Sequence, residues 1–186
     1  MLRPAKKVPM TWWSAADAMT LRPKVSTLVI LIAGLWIFGT GDAVLIAAGI
    51  GNAPWTVLAE GISLKIGWSI GQTTFLVSVL VLGFWIPLRE KPGLGTILNA
   101  ILIAAAIEYM LPYLPTPVTL TGGIVQVVIV VILVGIGSGL YLTANLVPVP
   151  RDGSITGLQR ITGFPVSYTH LLPPQNSVPP VFRLLL

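Results

Sequence analysis

Six acidic side chains occur in the 186 residues, and two of them, Asp42 and Glu108, fall inside long apolar runs. A carboxylate at membrane depth is costly unless it is paired, neutral or facing water, so each is a candidate for ion coupling or solute binding. Their plainer readings are an Asp42 that is simply protonated or hydrogen-bonded to Thr40, and Glu108 reaching water from the outer end of its run. Ten residues after Asp42 begins "NAPWTVLAEGISLKIG", which adds Thr56 and Glu60. This stretch is too polar to cross a bilayer comfortably and too apolar for an ordinary loop. Asn99 and Gln126 put amides inside later runs, where bonding between helices is the common role. Arg151 suits a lipid phosphate or an anionic solute, and its neighbour Asp152 suits a helix N-cap.

The chain holds no cysteine, which removes disulfides and thiolate chemistry, and its one histidine, His170, lies near the C-terminus. "GTGDAV" and "GIGSGL" lack the strand–loop–helix setting of a phosphate loop. No nucleophile stands beside a base. These absences point away from an enzyme, a metal centre or a cofactor. The net charge of +5 is no nucleic-acid signal, because Arg3, Lys6, Lys7, Arg22 and Lys24 all precede the first apolar run, where they read as a cytoplasmic anchor.

The elements that must hold these groups are helices in lipid. Hydrophobic residues make up 54% and charged residues 9%, against about 25% charged in soluble domains. An all-α, multi-spanning membrane protein follows, with the bilayer as its first partner. A basic N-terminus occupies 1–25, in which "MTWWSAADAM" suits the interface, and the membrane domain occupies 26–165. Spans are expected at 26–50, 70–88, 95–113 and 123–144, with Trp36, Trp85 and Tyr141 near headgroups. Lys and Arg are abundant before the first span and reduce to Lys65 alone in 52–69. They return as Arg89 and Lys91, vanish from the loop near residue 117, and return as Arg151 and Arg160. That alternation fits four spans with a cytoplasmic N-terminus. Residues 54–67 then enter or lie on the membrane and return to the same side. Pro54 suits a helix start and Gly67 a left-handed helix end. Trp55, Leu58, Ile62 and Ile66 form an apolar stripe between them. Gly34, Gly39, Gly41, Gly135, Gly137 and Gly139 suit close helix packing.

A shift of 150 − 54 = 96 residues lays Pro54 on Pro150, Gly61 on Gly157 and Gly67 on Gly163, and without a gap Gly39 on Gly135 and Gly41 on Gly137. Two units follow, about 26–113 and 122–165. Three spans per unit is an odd number, so the second unit starts from the opposite face, as in the inverted repeats of transporters. Each unit carries one Pro-led, Gly-ended segment, re-entrant or interfacial; the second also holds Gly153.

"GNAPWTVLAEGIS", "WIPLREKPGLGTILNA" and "GSGLYLTANLVPVPRDGSITGLQRITG" resemble the YczE-type integral membrane proteins of bacteria, relatives of the YitT group. The likeness runs from about residue 28 to 165. It implies a multi-spanning plasma-membrane protein and names no activity. Glu108 matches an acidic position of the pattern. Thr56 stands where an acid is usual after Pro-Trp, and Asp42 stands where the pattern is apolar. Of an acidic pair in the two Pro-led motifs, Asp152 alone remains.

From residue 166 the pattern stops at "VSYTHLLPPQNSVPPVFRLLL". "VSYTHL" is what one frame of a transposon end used in sequencing libraries encodes. Residues 166–186 are therefore expected to be non-native and unpacked, and the second unit to lack two of six spans, its end falling near 113 + 96 = 209. The expected function is permease-like handling of a small solute at the repeat interface. A non-transporting accessory to a biosynthetic or export complex, with a membrane protein or a second copy as partner, is the alternative.

Overall fold

The computed structural model describes residues 11–15, 20, 22–88 and 93–146. Among them the chain is helical and contains no strand. Apolar runs in lipid must pair their own backbone groups, which a helix does within itself. Helix α1 spans Val25–Ala48, α2 Pro54–Ile66, α3 Ile70–Leu88, α4 Leu94–Met110 and α5 Leu120–Thr143; a 3-10 turn, Leu111–Tyr113, prolongs α4. The expected spans at 26–50, 70–88, 95–113 and 123–144 each coincide with a helix to within three residues at either end. Among the described residues, three segments are long and apolar enough to cross a membrane: α1, α4 with its 3-10 turn, and α5. The fourth candidate is the pair α2 and α3, between which the chain turns by 114°.

Punctuation follows the sequence. Gly49 (φ 65°) and Gly67 (φ 72°) close α1 and α2 in the left-handed conformation. The Gly67 amide donates to the Ser63 carbonyl at 2.9 Å. Thr119 caps α5 by accepting from the Gly122 amide at 3.2 Å.

Helix α1 is central, packing most extensively on α5 and next on α4; α4 then packs on α3, and α3 on α2. The α1–α5 contact is antiparallel and closest at glycines. A Cβ on Gly137 would stand 2.7 Å from the Phe38 nitrogen, and one on Gly34 2.8 Å from the Tyr141 nitrogen. Gly39 meets α4 at Ile103 and Ala106, and Gly41 meets Val134. Gly135 and Gly139 face open space, so the packing role expected of all six holds for four. Ile124, Val125, Val128, Val131, Ile132 and Ile136 point outward from α5, as suits a surface solvated by lipid.

The 96-residue shift carries α1 onto 25 + 96 = 121 to 48 + 96 = 144, one residue from the bounds of α5. A twofold axis relating the two helices would turn the pair 38/137 into 137 − 96 = 41 and 38 + 96 = 134. Both contacts, Phe38–Gly137 and Gly41–Val134, are present. Pro150, Arg151, Asp152, Gly153, Gly157, Gly163 and the tail 166–186 lie outside the described residues, so the rest of the second unit is not part of this comparison.

Trp85 (1% exposed) and Tyr141 are buried in the bundle. Helix α2 buries Thr56 and Ala59, while Leu58 is 51% exposed and Ile66 46%. In lipid an apolar stripe gains nothing by being hidden, so the small and polar face packs inward instead. Residues 11–15 dock on the end of α5, which no sequence pattern announces. There the Ala15 amide donates to the Ala144 carbonyl at 3.0 Å and the Ser14 hydroxyl to the Thr143 carbonyl at 2.5 Å, satisfying carbonyls that a helix end leaves open.

Candidate functional site

A cavity of about 510 Å³ lies where the five helices meet. Each helix presents a stripe to it, mostly at four-residue spacing: Phe38 and Asp42 from α1, Thr74 and Ser78 from α3, Asn99, Ile103 and Ile107 from α4, and Val134, Ser138 and Tyr141 from α5. The entrance to α2 supplies Ala53, Trp55 and Thr56. Asp42 lies six residues before the end of α1. The first turn of α2 therefore reaches the depth of the α1 interior rather than starting beyond its end.

Three of the predicted residues converge here. Asp42 is the one charged side chain on the cavity wall among the described residues, and it has no hydrogen-bond or ion-pair partner among them. Thr40 does not bind it; that hydroxyl donates to the Trp36 carbonyl at 2.9 Å. Asn99 is 8% exposed and Thr56 4%, and neither side chain is hydrogen-bonded within the described structure. The bridging role expected of Asn99 is thus not the one it plays. Gln126 does not bridge helices either: its amide donates to the Pro115 carbonyl at 2.7 Å, in the loop before its own helix.

The other acids sit elsewhere. Glu60 accepts from the Asn52 amide at 2.7 Å, which ties α2 to the chain leading into it. Glu108 is exposed and accepts from the Ser69 hydroxyl at 2.5 Å, joining the start of α3 to the end of α4. Gly71 permits that approach: a Cβ there would stand 2.8 Å from the Ala104 carbonyl oxygen. Pro54, Gly61 and Gly67 shape α2 without lining the cavity.

Sequence reasoning did not single out Phe38, Thr74, Ser78 and Ser138. The three hydroxyls turn their protons to their own helices, Thr74 to the Ile70 carbonyl at 2.7 Å, Ser78 to Thr74 at 2.8 Å and Ser138 to Val134 at 2.5 Å. Their oxygens keep lone pairs alone for the cavity. A signal existed in principle: a polar residue four positions from another lining residue on each span.

The chain matches the family of unknown function DUF6198 over residues 25–172. It is 37% identical over 158 residues to an uncharacterized protein of Haemophilus influenzae, covering 85% of this chain and 72% of that protein. It is 31% identical over 138 residues to the uncharacterized membrane protein YczE of Bacillus subtilis, covering 73% and 64% of the two chains. Against YyaS of the same organism it is 28% identical over 123 residues, 64% of this chain and 61% of that protein. No solved structure matches.

Proposed function

This chain belongs to DUF6198, a family of unknown function, and is a YczE-type membrane protein; from that premise we propose that it binds and moves a small solute through the cavity between its helices. One observation carries the reading. Asp42, Asn99 and Thr56, from three separate helices, turn polar groups without partners into one cavity. Its size, about 510 Å³, falls within the range of about 300–1,000 Å³ usual for small-molecule sites. A carboxylate within a span costs about 3 kcal/mol on insertion scales, and ligand or ion binding is the usual offset.

In this reading α2 is re-entrant, and its first turn brings unpaired amides to the solute, as broken helices do in transporters. The protein is a multi-pass component of the bacterial plasma membrane with a cytoplasmic N-terminus, following the Lys and Arg alternation. The site is read as one that binds rather than makes bonds, since its Thr74, Ser78 and Ser138 hydroxyls donate to their own helix carbonyls.

Proteoliposomes holding the full chain test this. Saturable uptake of at least one solute from a mixed panel is expected, and Asp42→Asn should lower it about tenfold or more while insertion is retained. A folded, correctly inserted protein that moves no solute would favour the accessory role instead.

A further inference from the structure

We propose that the cavity takes an organic ammonium ion, with Asp42 as its counter-charge and Phe38 and Tyr141 as aromatic walls; this rests on the solute-handling reading above. The lining is electron-rich on several independent counts. Its one charged side chain among the described residues is a carboxylate with no partner among them. The Thr74, Ser78 and Ser138 hydroxyls have spent their protons on helix carbonyls and offer only lone pairs. Phe38 lies one turn from Asp42 on the same helix face, and its ring meets that of Tyr141 with centroids 5.8 Å apart and planes at 82°. Two perpendicular rings make a corner, and Trp55 adds a third ring to the lining. A cation against aromatic faces and beside a desolvated carboxylate is held by both.

Competing classes fit less well. An anion would meet the Asp42 carboxylate with no basic side chain on the described wall to offset it. A bare monovalent metal ion would leave most of 510 Å³ empty and gain little from Ile103 and Ile107. An alkylated ammonium fills that apolar volume and places its charge at Asp42. The buried, unpartnered Asn99 amide then meets a hydroxyl or similar group at the far end of the solute.

The test uses the full chain in lipid nanodiscs for binding and in proteoliposomes for flux. Choline and methylammonium are compared with 3,3-dimethylbutan-1-ol, which has the shape of choline without its charge. Choline or methylammonium is expected to stabilise the protein to heat and to be taken up saturably, with the uncharged isostere about tenfold weaker or worse. Asp42→Asn should erase that discrimination, lowering ammonium binding about tenfold while leaving the isostere unchanged. A misfolded variant would lose both. Equal binding of choline and its isostere to the unaltered protein overturns the ammonium assignment, as does binding of neither ammonium. Saturable uptake of a neutral or anionic solute alone overturns it too while leaving transport standing. Ammonium binding without flux upholds the assignment and overturns the transport reading.

Discussion

Asn99, 8% exposed in the middle of α4, turns its amide to the cavity and makes no hydrogen bond to a neighbouring helix among the described residues. Glu60 and Glu108 show the contrast. Each is held by a side-chain donor, Glu60 in the middle of α2 by Asn52 and Glu108 near the end of α4 by Ser69. Asn99→Leu should therefore leave thermal stability in nanodiscs unchanged to within about 1 kcal/mol, because a similar volume replaces an amide that bonds no neighbouring helix. Solute uptake by the same variant should fall. A marked drop in melting temperature would instead show that Asn99 holds helices together. Asp42 and Asn99 were legible in the sequence because a polar side chain stands out in apolar surroundings, and Thr56 because it stands where the resembled family usually has an acid. Sequence marks residue type but not azimuth, so Glu60 and Glu108 were grouped with them although they face elsewhere. Phe38, Ser78 and Ser138 were passed over because aromatic and hydroxyl residues recur in every span. Only their position around the helix sets them apart.

Helices in lipid associate through close backbone approach rather than through hiding apolar surface, and the glycines can be ranked on that basis. Gly137→Ala would drive a Cβ to 2.7 Å from the Phe38 nitrogen, backbone against backbone. It should destabilise the bundle by about 1–3 kcal/mol, whereas Gly139→Ala, which meets nothing within 4 Å, should stay within about 0.5 kcal/mol. Thermal unfolding of the two variants side by side in one detergent checks the order. Helix α2 offers a second pair. Gly67 has φ 72° and ends the helix, so Gly67→Ala should cost about 1 kcal/mol. Gly61 lies within the helix in open space, so Gly61→Ala should be neutral or gain about 0.5–1 kcal/mol. The ends of α2 were readable from Pro54 and Gly67 because those residues act locally. Its packing face was not, because the apolar stripe of Leu58 and Ile66 is turned outward and only the bilayer explains that choice.

At the scale of the whole molecule the decisive quantity is how many times the chain crosses the membrane before α4. Helix α2 has 13 residues, about 20 Å at 1.5 Å per residue, short of a hydrocarbon core of about 30 Å. The 114° turn at Gly67–Ser69 sends α3 partly back along the path of α2. Its first turn also shares a cavity with Asp42, well inside α1. All three observations fit the proposed helix that dips in and returns. In the proposed topology, Lys65, exposed near the end of α2, faces the side opposite the N-terminus, and the loop that carries Arg89 and Lys91 faces the cytoplasm. The absence of cysteine makes the test clean, since one introduced thiol is the whole signal. Lys65→Cys should react with a membrane-impermeant maleimide in intact cells, and Lys91→Cys only after permeabilisation. If α2 crossed the membrane, the two results would be reversed: residue 65 would be protected and residue 91 labelled from outside. That reversal would also undo the two-unit reading, because a fourth crossing in the first unit makes its number of spans even. Two units with an even number of spans run parallel, and the exchanged contacts Phe38–Gly137 and Gly41–Val134 belong to an antiparallel pair.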